Sequence, residues 1–253
     1  MIGENELKAL WQTVFGDDRS YIDRWFHAFF RPELTAVKEQ DGSLAAMAFV
    51  LPVGTLNGGS CASLYAVASA PGLRGTGLGK AVTADAVHLA EKAGFSHILL
   101  RPADRGLFGF YRKLGFFPAF PVSETLVRLP ETGCPASPCA PERYLEFRSS
   151  LLCSDGVVLP SVSLLSFFSS SGGRLYAGDG FCAAVEEENG RTVFKELFTD
   201  GRTLAPEILS SMSAASSAAA VRQPAFSSEA VPFAMRYGAS GKEHLHWPGL
   251  MLD

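Results

Sequence analysis

The chain has 253 residues, 47% of them hydrophobic and 19% charged, and a formal net charge of -4. That composition is globular, too apolar for a disordered chain and without the basic excess of a nucleic-acid binder. No apolar run approaches the roughly 18 residues that a bilayer span needs, so no membrane partner is expected. The acidic start Met1-Ile2-Gly3-Glu4-Asn5-Glu6 is unlike a secretory leader. The cysteines Cys61, Cys134, Cys139, Cys153 and Cys182 are odd in number and irregularly spaced, as expected of reduced thiols in a cytoplasmic protein.

Leu7, Leu10, Trp11 and Val14 recur at helical spacing until Gly16, and Tyr21, Trp25, Phe26 and Phe29 repeat the pattern until Arg31-Pro32. The period then changes. Leu34 to Gln40 reads as a strand, Asp41-Gly42 as a hairpin turn and Leu44 to Val53 as a second strand. Asn57-Gly58-Gly59 turns the chain into a third, Cys61 to Ser69. A glycine-rich segment opens a helix whose Leu78, Val82, Ala86, Leu89 and Ala93 share a face, with Gly94 as its stop. His97 to Leu100 is a short strand, Leu107 to Leu114 a short helix and Phe116 to Leu129 extended chain.

Residues 131–141, rich in Pro and Cys with no apolar period, read as a linker between domains at 1–130 and 142–253. Beyond it, helices are expected near Glu142–Leu152, Val162–Ser169 and Pro206–Ala218. Strands are expected near Leu175–Gly178, Phe181–Glu187, Thr192–Phe198, Ala220–Arg222 and Pro232–Tyr237. The two halves share an element order, and Trp25 to Gly42 echoes Leu165 to Gly180, so the chain reads as an internal duplication.

The informative stretch runs from Leu64 to Gly79, a strand entering a glycine-rich loop that opens a helix. Unpaired N–H groups at a helix start, backed by its dipole, suit phosphate oxygens. Gly75, Gly77 and Gly79 let the backbone approach a bulky anion. The Walker pattern fails, because Lys80 would require glycine at position 74 and a hydroxyl residue at 81, where Arg74 and Ala81 stand. The dinucleotide pattern fails too: counted from Gly75 or Gly77, its last glycine is Lys80 or Val82. What fits is R-x-x-G-x-G, as Arg74-Gly75-Thr76-Gly77-Leu78-Gly79.

With that loop and Phe110-Tyr111-Arg112-Lys113-Leu114-Gly115-Phe116, the chain resembles the GNAT superfamily of N-acetyltransferases over roughly Glu4 to Leu129. The resemblance implies an α+β GNAT fold, a mixed and mostly antiparallel sheet flanked by helices, with a degenerate GNAT-like second domain. It implies acetyl-CoA as co-substrate, held at Arg74, Gly75, Thr76, Gly77, Leu78, Gly79 and Lys80. Backbone N–H groups at Val67, Ala68 and Ser69 would polarise the thioester carbonyl, and Tyr111 would be the acid that protonates the departing thiolate. The acceptor would be a primary amine, on a small molecule or a protein. The alternative is a non-catalytic acyl-CoA-binding module acting through protein contacts.

Several positions depart from the family's pattern. Many relatives carry a glutamate base on the strand placed here at Cys61–Ser69, which holds no acid or histidine, so the base is unassigned. Asp104 stands where the family often has Asn. The second half lacks the loop motif, its turn Asp200-Gly201-Arg202-Thr203 being poor in glycine, and is expected to bind no CoA. The chain is also similar to aminoglycoside acetyltransferases of the enhanced-intracellular-survival type, which would make Asp253 a terminal carboxylate base. No metal site is expected: His244-Leu245-His246 has no supporting cluster, and Cys134 and Cys139 have no second pair.

Overall fold

The computed structural model describes residues 2–131, 135–152, 155–188, 190–201, 204–213, 217–224, 231–238, 245, 247–250 and 252. The expected positions Cys134, Cys153, Arg202, Thr203, His244, His246 and Asp253 lie outside them. The chain divides into two compact units, Met1–Pro118 with Ala234–Lys242, and Ala119–Phe233 with Glu243–Asp253.

The first unit opens with α1 (Glu4–Phe15) and α2 (Arg19–Phe29). Glu6 accepts the Gly3 N–H at 2.8 Å to cap the start of α1, and Gly16, at φ 77°, ends it. The apolar residues predicted to share a face do so: Leu7, Leu10, Trp11, Ile22, Trp25 and Phe26 are buried. After a 3₁₀ turn at Pro32–Leu34 come β1 (Thr35–Gln40), β2 (Ser43–Leu56) and β3 (Gly59–Ser69), an antiparallel meander. Both tight turns carry two left-handed residues, Asp41 and Gly42 at φ 52° and 74°, Asn57 and Gly58 at φ 50° and 79°. That is the twist a two-residue hairpin requires.

Helix α3 (Leu78–Lys92) lies on the opposite face of this meander from α1 and α2, and β4 (His97–Leu100) follows parallel to β3. Val82, Ala86, Val87 and Ala90 of α3 pack on Ala36, Ala46, Ala48, Ala62 and Leu64. The run of alanines on the sheet lets the helix approach closely. Helix α4 (Leu107–Arg112) then leads into β5 (Phe116–Arg128), which leaves the first unit after Pro118.

In the second unit come α5 (Pro141–Leu151), β6 (Val158–Pro160), α6 (Val162–Ser170), β7 (Arg174–Gly178), β8 (Phe181–Glu188) and β9 (Arg191–Thr199). Then come α7 (Pro206–Ser211), β10 (Ala218–Pro224) and β11 (Val231–Tyr237), which passes into the first unit at Ala234. The sheet of the second unit runs β7, β8, β9, β10, β5, with β9 and β10 parallel as β3 and β4 are. The second unit thus repeats two helices, a three-strand meander, a helix and a parallel strand. One expected element is shorter: the helix begun at Pro206 stops at Ser211, and by Ala218 the chain is strand. Serine competes for helix hydrogen bonds through its hydroxyl, and Ser211 and Ser213 bond back to the carbonyls of Ile208 and Leu209 at 2.7 and 2.9 Å.

The second unit holds a fully buried carboxylate that no sequence pattern announces. Glu196 on β9 accepts from Arg148 Nε and Nη2, both at 2.9 Å, from the Tyr144 hydroxyl, and from Trp247 Nε1 at 2.7 Å. Burial first, and then the facing carboxylate, push the Tyr144 phenol well above its ordinary value, so it stays a donor. Counting from the parallel ladders, Phe194 in β9 and Ser63 in β3 each end a three-residue pairing. Glu196 and Tyr65 both stand two residues later, with a bulge at Lys195 in β9 that β3 lacks before Tyr65.

Candidate functional site

Strands β3 and β4 pair only over Cys61–His97, Ala62–Ile98 and Ser63–Leu99. Beyond that point β3 runs on to Ser69 with no partner on its β4 side, which opens a cleft in the sheet. On its other side, β3 takes three steps from Tyr65 to Ala68 while β2 takes two, from Phe49 to Met47. This one-residue bulge is marked by Ala66 at φ 47°, the left-handed region, where an alanine carries strain of about 1–2 kcal/mol. A bulge redirects backbone N–H groups out of the ladder. It stands immediately before Val67, Ala68 and Ser69, the positions expected to polarise a carbonyl.

After Ser69 the chain makes a 3₁₀ turn at Pro71–Leu73 and enters the loop. Gly75 and Gly77 take φ 81° and 92°, and no atom lies within 4 Å of where either Cβ would be. Space is therefore not what selects glycine there; the left-handed backbone is. Thr76 donates its hydroxyl to the Leu73 carbonyl at 2.7 Å and so tightens the turn. Gly77 is the N-cap of α3, and the first intrahelical bond runs from the Ala81 N–H to the Gly77 carbonyl at 3.0 Å. The N–H groups of Leu78, Gly79 and Lys80 precede it and point out of the helix start. Arg74 and Lys80 are exposed on the rim of this loop.

Gly79 is where the parts meet. Its Cβ position would lie 3.5 Å from Ser69 Oγ and 3.7 Å from Phe110 Cζ, so the end of β3, the start of α3 and α4 converge there. Phe110 packs edge-on against Tyr111 with ring centroids 5.0 Å apart, and Tyr111 packs on Phe116 at 5.9 Å. Tyr111 is 7% exposed, and its hydroxyl makes no hydrogen bond to a described residue. Its burial, helped by the nearby Asp104 carboxylate, pushes the phenol up to about 12. Tyr111 therefore holds its proton through neutral and mildly alkaline pH.

Asp104 has a definite task. Its Oδ1 accepts the N–H groups of Gly106 and Leu107 at 2.7 and 3.2 Å, capping the start of α4. The departure from Asn thus preserves the turn that aims Tyr111. The spacing Asp-Arg-Gly before a helix carries that signal.

On the α1 and α2 side of β3 the wall is aromatic. Tyr65 stacks on Trp25 with centroids 5.5 Å apart and an interplanar angle of 13°. Its hydroxyl lies 3.0 Å from that of Tyr21 on α2. This phenol pair stands on the strand where the resemblance led one to look for a glutamate. Among the described residues no group of His, Cys, Asp and Glu is arranged to hold a metal ion, and no helix is long and apolar enough to cross a membrane.

The arrangement matches known proteins at the level of the fold. The model of the acetyltransferase (GNAT) family matches residues 4–116. Among solved structures, the chain is similar to GCN5-related N-acetyltransferases from Anabaena variabilis (TM-score 0.65, 15% identity, 92% of this chain and 69% of that one) and Kribbella flavida (TM-score 0.64, 14%, 92% and 67%). A third, from Sphaerobacter thermophilus, aligns over 98% of this chain and 94% of its own with a TM-score of 0.55 and 15% identity. No curated protein matches the chain at a significant level. The splayed strand and the glycine loop at a helix start both lie within residues 4–116, the stretch that is similar to the acetyltransferase (GNAT) family.

Proposed function

We propose that this protein is an N-acetyltransferase that moves acetyl from acetyl-CoA to a primary amine by direct attack in a ternary complex. One observation carries the reading: at Gly79 the end of β3, the unclaimed N–H groups of the α3 start and the helix bearing Tyr111 converge. The loop residues Arg74 to Lys80 fit a diphosphate, with open space above Gly75 and Gly77 and a helix dipole behind it. N–H groups at Val67 to Ser69 stabilise the oxyanion as the amine nitrogen bonds to the carbonyl carbon. The C–S bond then breaks, the thiolate takes the Tyr111 proton, and the proton lost by the amine passes to water. The second half of the sequence lacks R-x-x-G-x-G, and α7 is only 6 residues long.

Tyr111→Phe keeps the ring packing and removes the proton. Turnover should fall about 10²–10⁴-fold while acetyl-CoA affinity is unchanged. Wild-type turnover of a polyamine, a free amino acid, an aminoglycoside or a lysine peptide supplies the assay. Because burial holds the Tyr111 phenol near 12, its protonated form is lost only well above the ordinary value of 10.0. The rate should therefore climb with pH as the amine, of pKa about 10.4 if lysine-like, loses its proton. A decline between about pH 8 and 10 would contradict the assignment of Tyr111 as the acid. The non-catalytic reading is favoured by one fact, the lack of any carboxylate or imidazole from Cys61 to Ser69. It predicts acetyl-CoA binding with no turnover of any of these amines.

A further inference from the structure

The family match ends at residue 116, yet the first compact unit also includes Ala234–Lys242. Within it Met235 and Arg236 of β11 pair antiparallel with Leu100 and Leu99 of β4. Without β11, β4 would present an unpaired edge in the middle of the fold, a position that proteins rarely leave bare. Met235 is fully buried in the same core cluster as Val82, Leu100, Tyr111 and Phe116. Tyr237 packs its ring on Phe116 at 5.2 Å, and Phe116 in turn carries Tyr111. The link is fixed through the backbone too, because the Gly238 N–H donates to the Gly115 carbonyl at 3.2 Å. Gly115 sits at φ 87°, and a Cβ there would come within 3.1 Å of the Tyr237 ring.

We infer that β11 belongs to the acetyl-transfer site, and that Tyr237 is a positioning residue that sets Tyr111 through Phe116 and the Gly115 turn. This rests on the reading of Tyr111 as the acid. Its physical basis is the close packing of interiors: a ring removed from behind Phe116 leaves a void, and Phe116 and then Tyr111 move to fill it. No atom of β11 lies within 4 Å of the Cβ positions of Gly75 and Gly77 in the phosphate-binding loop. Affinity for acetyl-CoA and the placement of Tyr111 should consequently separate.

The test uses the full chain labelled with 3-fluorotyrosine, whose 6 tyrosines give resolvable fluorine signals. Tyr111→Phe and Tyr237→Phe assign the two of interest. In Tyr237→Ala the Tyr111 signal should be displaced and should no longer respond to acetyl-CoA, while calorimetric affinity stays at the wild-type value. Tyr237→Phe, which keeps the ring, should behave as wild type, and Tyr144 and Tyr176 in the second unit should not move. A Tyr111 signal and response unmoved in Tyr237→Ala would overturn the inference. So would a loss of affinity accompanied by displacement of every tyrosine, which marks a merely structural role. Should Tyr237→Ala fail to fold, Tyr237→Leu is read by the same criteria. Should wild type bind no acetyl-CoA, the proposed function falls. The displacement of Tyr111 in the free protein then decides the inference alone.

Discussion

Replacing Glu196 by Ala should destabilise the second unit by about 3–5 kcal/mol, because it strands the Arg148 guanidinium with no counter-charge at 0% exposure. Four donors converge on that carboxylate of β9, three from Tyr144 and Arg148 of α5 and one from Trp247. Trp247 also bridges the backbone, its carbonyl accepting from Val158 at 3.0 Å and its N–H donating to Gly156 at 3.2 Å. One substitution therefore loosens three segments at once. Calorimetric unfolding should show the midpoint of this unit falling by roughly 10 °C. Glu196→Gln keeps acceptors and should cost less, whereas Arg148→Met with Glu196→Leu should recover much of the loss, as apolar replacement of buried ion pairs often does. A Glu196→Ala protein as stable as wild type would show the network to be incidental.

The second large effect is expected at the loop. Gly77→Asp should weaken acetyl-CoA binding about 100-fold or more, since it sets a carboxylate at the α3 N-terminus where the diphosphate belongs, and like charges there cost several kcal/mol. It also forces a side chain onto φ 92°. Gly77→Ala separates the two causes. It carries only the backbone strain, about 1–2 kcal/mol, with no atom within 4 Å to clash. The alanine protein should lose some stability and most of its affinity should survive. Equal losses in both would mean that conformation, not charge, governs the loop.

How far this was legible in the sequence depended on whether a feature was local. The hairpin turns Asp41-Gly42 and Asn57-Gly58, the apolar faces of α1 to α3 and the glycines of the loop are written in adjacent residues, and the structure has them where expected. The shared order of two helices, three antiparallel strands, a helix and more strands was legible for the same reason, while the parallel pairing of β4 with β3 and of β10 with β9 was not. Ala66 was not, because alanine has no preference for positive φ, and only the unequal step between β2 and β3 reveals the bulge. Nor was the bond network of Glu196, whose partners stand 48 to 52 residues away along the chain. Asp104 read as a departure from the family's Asn and is in fact a helix cap. A strand was expected near Pro232–Tyr237, and β11 is there. That it completes the first unit rather than the second follows from the pairing with Leu99 and Leu100, which no local pattern specifies.

Two residues beyond the parallel pairing of each unit stand Tyr65, a phenol half-buried beside the cleft, and Glu196, a carboxylate sealed by four donors. A glutamate so enclosed is unable to take a proton from an incoming amine. In the second unit the position contributes stability, and the loop motif is missing from the same repeat.

The measurement that bears most directly on the central claim is calorimetric titration of the wild-type protein with acetyl-CoA, with Gly77→Asp alongside. Saturable binding by wild type, lost in the variant, is the predicted result and locates the co-substrate at the α3 start. Absence of binding by wild type, or equal binding by both proteins, would contradict it.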